Sequence, residues 1–418
     1  MGKKSKAPRT PSIKIDRKAA ERVMQGHPWI FADSIVQCKG HMPLATLVKV
    51  LDEDEQALGF ALYSQQSKIR ARVLTLQGEL PEEGAKELSV EDFTSLLLAS
   101  YNRRHLLGFS QQKLPPFHRT DAHESYRLVN SEGDGIPGLT IDVLGELIVV
   151  QITTMPLHRM RDTIFTALCG LFPEHGILDI PAPDKIMELE GFEHERCWRS
   201  EHRPERVEVN ESGVLFELVT EEFQKTGHYA DMRPHREWIA ARSKGASVLD
   251  AYSYTGGFGL HAASKGAARV MCVDSSAQAT SRVLANAKLN HFEQVQIETS
   301  RVDRYLDACI ERGQRFDITV LDPPKLAPNR SSAHKALKVY ESLCVQGLKV
   351  TERGGLFCIT SCSEAIGEKA LLKVLSKSAA EVGCSPFVVY TGAQAADHPW
   401  PAGMSEGRYA TFVAAVLG

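Results

Sequence analysis

No stretch of this 418-residue chain approaches the roughly 20 consecutive apolar residues that cross a bilayer, so no membrane partner is expected. The basic N-terminus leads into no apolar core of the kind a secretory signal carries, and a cytoplasmic protein is the expectation. The nine cysteines form no Cys-x-x-Cys pair, and none lies near a pair of histidines at zinc spacing. That scatter predicts reduced thiols and no metal site. Excess positive charge is also missing, because the formal net charge is −3. Any contact with nucleic acid must then come from a local patch. Finally, the glycine run at 256–259 lacks the Gly-x-Gly-x-x-Gly spacing that seats a dinucleotide pyrophosphate on a helix N-terminus.

What is present is an ordinary globular composition, 43% hydrophobic and 24% charged, on a chain too long for one core. Residues 1–27 carry eight Lys or Arg against Asp16 and Glu21. That patch suits a phosphate backbone, although residues 1–12 read equally as a disordered basic tail. Residues 13–80 read as a small β-rich domain. A short helix over Lys18–Gln25 ends at Gly26, and apolar runs follow at Thr46–Leu51, Ala57–Tyr63 and Ile69–Leu76. Lys68, Arg70 and Arg72 alternate with apolar residues, which places three cations on one strand face. They fit an edge strand guarded by charge or a strand facing RNA. Residues 78–87 look like a linker. Residues 81–205 read as a central α/β domain, with a helix over Val90–Leu107 and strands at Tyr126–Val129, Thr140–Val143 and Leu147–Thr153. Residues 181–205 give few signals.

Over 206–418 short apolar runs alternate with helical stretches. The runs are Ser247–Leu249, Ala268–Val273, Val295–Thr299, Ile318–Leu321 and Leu356–Thr360. The helical stretches fall near 257–265, 277–290, 333–350 and 365–382. This rhythm predicts an α/β fold with a doubly wound, mostly parallel sheet. Pro386–Tyr390 and Arg408–Val416 have no helix between them, so the last strand is expected to run antiparallel. A parallel sheet closed in that way is typical of Rossmann-like class I S-adenosylmethionine methyltransferases.

The segment Asp250–Gly259 reads as a strand tip, a glycine turn and a helix start. An acidic tip without a phosphate seat suits a cofactor with a cationic, amino-acid-like end, which points to S-adenosylmethionine. Asp250, Tyr252, Thr255, Gly256 and Gly257 are the candidate contacts. Asp274 ends the next strand, where a carboxylate can accept both hydroxyls of a ribose. Residues 224–233 fit a lid or floor over the cofactor, or a polar surface loop. Asp322-Pro323-Pro324-Lys325 follows the strand Ile318–Leu321, and the prolines fix where Asp322 points. Ser361-Cys362-Ser363 ends the strand after it. A cysteine there is either inert or a nucleophile. Pyrimidine C5 is a poor nucleophile until a thiolate adds to C6. Cys362 fits that addition, and Asp322 fits a hydrogen bond to the ring N3 side.

Lys225-Thr226-Gly227, Asp250–Gly259, Asp322–Lys325 and Ser361-Cys362-Ser363 together resemble a bacterial large-subunit ribosomal RNA methyltransferase family. The likeness extends to His27–Phe31, Ile69–Arg72, Tyr126–Leu128, Gly133–Ile141 and Ala395–Pro399. Its members are 5-methylcytosine enzymes of 23S rRNA with an N-terminal PUA domain. The resemblance implies a PUA-like RNA-binding domain, a central α/β domain and a methyltransferase domain. It adds Lys225, Thr226 and Gly227 to the cofactor set and implies that Cys362 is the nucleophile. A second cysteine after the Asp-Pro motif is absent, since Pro324-Lys325 stands there, as in the resembled family. Where such enzymes present an Asp to the adenine, this chain has Ser300, with Asp303 three residues on. Lys68, Arg70, Arg72, Lys325 and His398 are candidate RNA contacts, although His398 fits a turn before Pro399 as well. A homodimer is a further candidate partner. Two other readings stay open: an N-methyltransferase of rRNA, for example at guanine N7, and a non-catalytic RNA-binding module of ribosome assembly.

Overall fold

Two-residue alternation near the N-terminus gives way to continuous apolar runs after residue 245, and the two patterns build different sheets. The computed structural model describes residues 10–40, 42, 46–74, 87–120, 122–223, 226–327 and 330–418. Most of the expected tail, most of the expected linker and Lys225 lie outside the described residues.

Strands β1 (Ser12–Ile15), β2 (Trp29–Phe31), β3 (Ile35–Lys39), β4 (Leu47–Leu51), β5 (Ala57–Tyr63) and β6 (Ile69–Val73) form a six-stranded sheet. Their order is β2-β6-β5-β4-β1-β3. Helix α1 (Arg17–Met24) starts where the Asp16 side chain accepts from the Ala19 N–H at 2.7 Å. Helix α2 (Val90–Leu106) opens with a reciprocal capping box between Ser89 and Asp92. Strands β7 (Ser125–Asn130), β8 (Leu139–Leu144) and β9 (Leu147–Ile152) form an antiparallel meander. Helices α3 (Met155–Arg159) and α4 (Arg161–Leu171) then cross to β10 (Gly176–Ile180), parallel to β9. Helix α5 (Asp184–Glu190) leads to β11 (Cys197–Trp198), antiparallel to β10. One apolar core joins both sheets, with Phe60 and Leu62 packed in the same cluster as Phe93, Leu97 and Ile164. Met1–Val207, Leu218–Tyr229 and Ala396–Gly407 make up this first unit.

The second unit comprises Glu208–Glu217, Ala230–Ala395 and Arg408–Gly418. It is entered through the strand pair β12 (Arg206–Glu211) and β13 (Val214–Val219) and through helix α6 (Arg233–Ala240). There follow β14 (Ser247–Ala251), α7 (Gly257–Ser264), β15 (Arg269–Asp274), α8 (Ala277–Leu289), β16 (Val295–Thr299), α9 (Val302–Glu311) and β17 (Phe316–Leu321). The chain ends with α10 (Ala333–Val350), β18 (Thr351–Ser361), α11 (Glu368–Val382), β19 (Pro386–Gly392) and β20 (Thr411–Leu417). The seven-stranded sheet has the order β16-β15-β14-β17-β18-β20-β19. It is parallel from β16 to β18, and β20 is antiparallel to both its neighbours, as expected. Val248 to Ala251 are all buried, because helices cover both faces of a parallel sheet. Strand order reverses between β14 and β17, which opens a crevice outside their carboxyl ends.

Several elements went unforeseen, among them α9, α5 and β11. Helix α9 carries Val302, Leu306 and Cys309 inward at helical spacing, but it has no side-chain N-cap to announce it. Helix α5 and strand β11 lie in the stretch that gave few signals, and β11 has only two residues. Among the described residues no helix is long and apolar enough to cross a membrane.

Candidate active site at the carboxyl edge of the seven-stranded sheet

Asp250 lies within β14 rather than at an open tip, and it is only 1% exposed. Its Oδ2 accepts from the Gly259 N–H at 2.7 Å, tying the strand to the first turn of α7. Its Oδ1 is buried without a partner. Burial lifts this carboxyl to about 7. Gly259 is required for the contact, since a Cβ there would lie 2.5 Å from Cys272 Sγ. The turn between is strained: Tyr252 and Tyr254 have φ of 66° and 47°, and Gly256 has φ of 91°. Non-glycine residues in the left-handed region cost on the order of 1 kcal/mol each, and such strain clusters at ligand sites. Gly257 faces the guanidinium of Arg236, which a Cβ would approach to 2.6 Å.

Asp274 ends β15 and faces the same turn. Its Oδ2 accepts from Tyr254 N–H at 3.0 Å and its Oδ1 from Ser276 N–H at 2.9 Å. A carboxylate has about four acceptor sites, so lone pairs remain for two hydroxyls. Ser300 follows β16, and its N–H donates to the Asp274 carbonyl at 3.0 Å. Asp303 is turned to Arg301 at 2.6 Å, and that hydrogen bond holds its carboxyl below the usual range.

Asp322 follows β17 directly. Its N–H donates to the Ala251 carbonyl at 3.1 Å, and its carboxylate accepts from the Thr360 hydroxyl on the neighbouring strand β18. Burial raises it to about 6. Lys325, four residues past β17, is exposed. Cys362 follows β18 directly and is half-buried. Ser363 anchors that loop by donating to the Ala327 carbonyl at 2.5 Å. Loops 322–327 and 361–363 are thereby joined. The neighbouring Cys358 is fully buried inside β18, which pushes its thiol far up.

Thr360 and Arg236 were missed by sequence reading. Thr360 lies among apolar residues and reads as strand filler. Arg236 sits on α6 and donates to the buried Glu211 at 2.8 Å. Its signal was only a polar stretch ahead of the sheet.

The other candidates lie in the first unit. Thr226 is buried, and Gly227 has φ of 92° with Phe223 against it. Strand β6 is not an edge, since β2 and β5 flank it, so charge protection of an edge does not explain its cations. Lys68 precedes the strand and is exposed, and Arg70 is half-exposed. Arg72 is 6% exposed and bound to Glu190 at 2.8 Å, so it presents no cation to RNA. His398 is 2% exposed and paired with Asp397 at 2.9 Å, which rules out a surface contact as it stands.

A PUA-like domain model matches residues 13–76, and the model described as conserved hypothetical protein 95 matches residues 235–361. Among solved structures, a provisionally assigned methyltransferase complexed with SAH superposes with a TM-score of 0.79. It is 20% identical and covers 97% of this chain and 100% of its own. A provisionally assigned SAM-dependent methyltransferase from Streptococcus mutans gives 0.77 at 19% identity, covering 97% and 99%. These likenesses establish the fold: a class I methyltransferase sheet following a β-rich, PUA-like region. The ribosomal RNA large subunit methyltransferase I of Escherichia coli O139:H28 is 30% identical over 390 residues, covering 93% of this chain and 94% of that protein. Similarity of that identity and extent shows that the chain belongs to the ribosomal RNA large subunit methyltransferase I family.

Proposed function

We propose that this protein uses S-adenosylmethionine to methylate C5 of a cytosine in 23S ribosomal RNA through a covalent bond to Cys362. The single observation that carries the choice of atom is the pairing of Asp322 and Cys362. They end adjacent strands on one sheet edge and are linked through Thr360 and through Ser363–Ala327.

The cofactor fits the residues present. The turn 252–257 follows β14 at the crevice. Asp274 keeps lone pairs for a ribose, and the partnerless Oδ1 of Asp250 lies beneath. Asp250, Tyr252, Thr255, Gly256, Gly257, Asp274, Ser300 and Asp322 are the proposed contacts, and Lys225, Thr226 and Gly227 join them by family likeness. Bound there, S-adenosylmethionine supplies an electrophilic methyl group on a sulfonium.

The chain's own residues do the rest. Cys362 loses its proton, and the thiolate adds to C6 of the cytosine, turning C5 into an enamine-like nucleophile. Asp322 holds a proton toward N3 as charge builds on the ring. A carboxyl raised to about 6 is suited to that task near neutral pH. Water then takes the C5 proton as the C6–S bond breaks, which restores the aromatic ring, and the expelled Cys362 thiolate is reprotonated from solvent. An N-methylation would need no cysteine at this place. Residues 13–80 are the proposed RNA-binding domain and 81–205 the central domain, with 206–418 for catalysis. Lys68 and Arg70 are the proposed RNA-facing cations.

Nucleoside mass spectrometry of rRNA treated with the enzyme tests the reading. 5-Methylcytidine is expected, and Cys362→Ala should lower its formation by about 10³-fold or more. 7-Methylguanosine, or full activity of Cys362→Ala, would overturn it.

A further inference from the structure

Strands β10 and β11 place Asp179 directly opposite Cys197, so the two side chains share one face of the five-stranded sheet. His194 lies three residues before Cys197. One ligand atom from each of the three falls within 4.8 Å of the others. Asp179 Oδ1 and His194 Nε2 are 3.2 Å apart, yet both are buried and neither has a hydrogen-bond partner. Such a separation is close to the edge of a tetrahedron whose centre lies about 2.0–2.1 Å from each atom, the length of zinc bonds to oxygen and nitrogen. Cys197 Sγ donates to Asp179 Oδ2 at 3.9 Å, so the thiol must turn from that oxygen toward Oδ1 to complete the set.

We propose that Asp179, His194 and Cys197 form a zinc site that pins the segment 191–197 to strand β10. The absence of a Cys-x-x-Cys pair made such a site unexpected, because its third ligand comes from another strand.

Neighbouring arginines shape the site. Arg161 Nη1 and Arg199 Nε and Nη2 donate to Oδ2 at 3.2, 3.2 and 3.1 Å, which leaves Oδ1 turned to His194. Their charge opposes any dication, and Asp162, 3.3 Å from Arg199, offsets only part of it. The donor set, rather than this charge, makes the site selective. An ion that bonds thiolate and imidazole can enter, whereas Mg2+, which prefers oxygen ligands and water, cannot. On binding, the Cys197 S–H bond gives its proton to solvent as the sulfur–metal bond forms. Water fills the fourth position.

Co2+ titration of the full chain tests this, because a bound thiolate gives a near-ultraviolet charge-transfer band. The band should saturate at one equivalent, be displaced by Zn2+ and be indifferent to Mg2+. Cys197→Ser should abolish it, His194→Gln should weaken binding by about tenfold or more, and Cys38→Ser should change nothing. A second measurement needs no variant: Zn2+ should protect Cys197 of the unaltered protein from alkylation, mapped by peptide mass spectrometry. No stoichiometric band, a band that survives Cys197→Ser, or unchanged alkylation of Cys197 would each overturn the proposal.

Discussion

Three buried carboxylates of the first unit and two acids of the second are held in opposite ways. In the first unit Asp134, Asp142 and Glu190 are matched to guanidinium, as Glu211 is in the second. Asp134 takes Arg104 at 2.5 and 2.7 Å and Arg103 at 2.9 Å. Asp142 takes Arg127, and Glu190 takes Arg72. In the second unit Asp250 is just as buried and Asp322 partly so, but among the described residues neither is in an ion pair. They hold only a backbone N–H and a threonine hydroxyl. A buried carboxylate matched to a cation stays ionised and acts as a fastener. One held only by neutral donors is pushed toward its protonated form, and that makes it useful for chemistry. Among these acids pairing, rather than burial, separates structural groups from candidate reactive ones.

Each half of that comparison can be broken. Asp322→Asn should cost about 10²–10⁴-fold in methylation rate while leaving the melting temperature nearly unchanged, measured by single-turnover kinetics and thermal unfolding. Arg104→Met should do the reverse. It removes the fully buried partner of the Asp134 carboxylate and leaves only the partly exposed Arg103, at up to about 3–5 kcal/mol of stability, read from a denaturant titration.

Asp250→Asn sharpens the contrast through pH. The Asp250 carboxyl is raised from 3.8 to about 7, so the native state binds its proton more tightly than the unfolded chain. Its ionisation costs nothing below about pH 4, and the penalty grows as pH rises to about 7. Asparagine keeps an acceptor for Gly259 N–H and cannot ionise. The variant should therefore gain stability over the parent by a few kcal/mol at about pH 8 and little at about pH 4, in melts across pH. The smallest effect belongs to exposed cations. Lys68→Ala with Arg70→Ala should weaken RNA binding and flatten its salt dependence by about one to two in log–log slope, whereas Arg72→Ala should lower stability instead.

Much of the second unit was legible from sequence because buried parallel strands read as unbroken apolar runs. Residues that follow such runs, namely Asp274, Asp322 and Cys362, could be assigned to one edge without coordinates. Arg72 and His398 were not legible. Arg72 looks like its exposed neighbours in sequence, and the residue that claims it, Glu190, is 118 positions away. His398 is set within a network in which Arg104 donates to the Asp397 carbonyl, 293 positions apart. Asp250 was misjudged in one respect: the strand continues past it to Ala251, which carries its side chain inside.

The sequence by itself determined the class of sheet, the glycine turn after β14 and the order in which chemical side chains arrive at its edge. These depend on local periodicity and on backbone freedom at single residues. Only the tertiary structure decided which charges are spent. The fate of Arg72, the orphaned oxygens of Asp250 and Asp179, and the hold of Thr360 on Asp322 are set by what faces each group across a strand or a core. A polar group's free energy depends on those neighbours, and no window of sequence contains them.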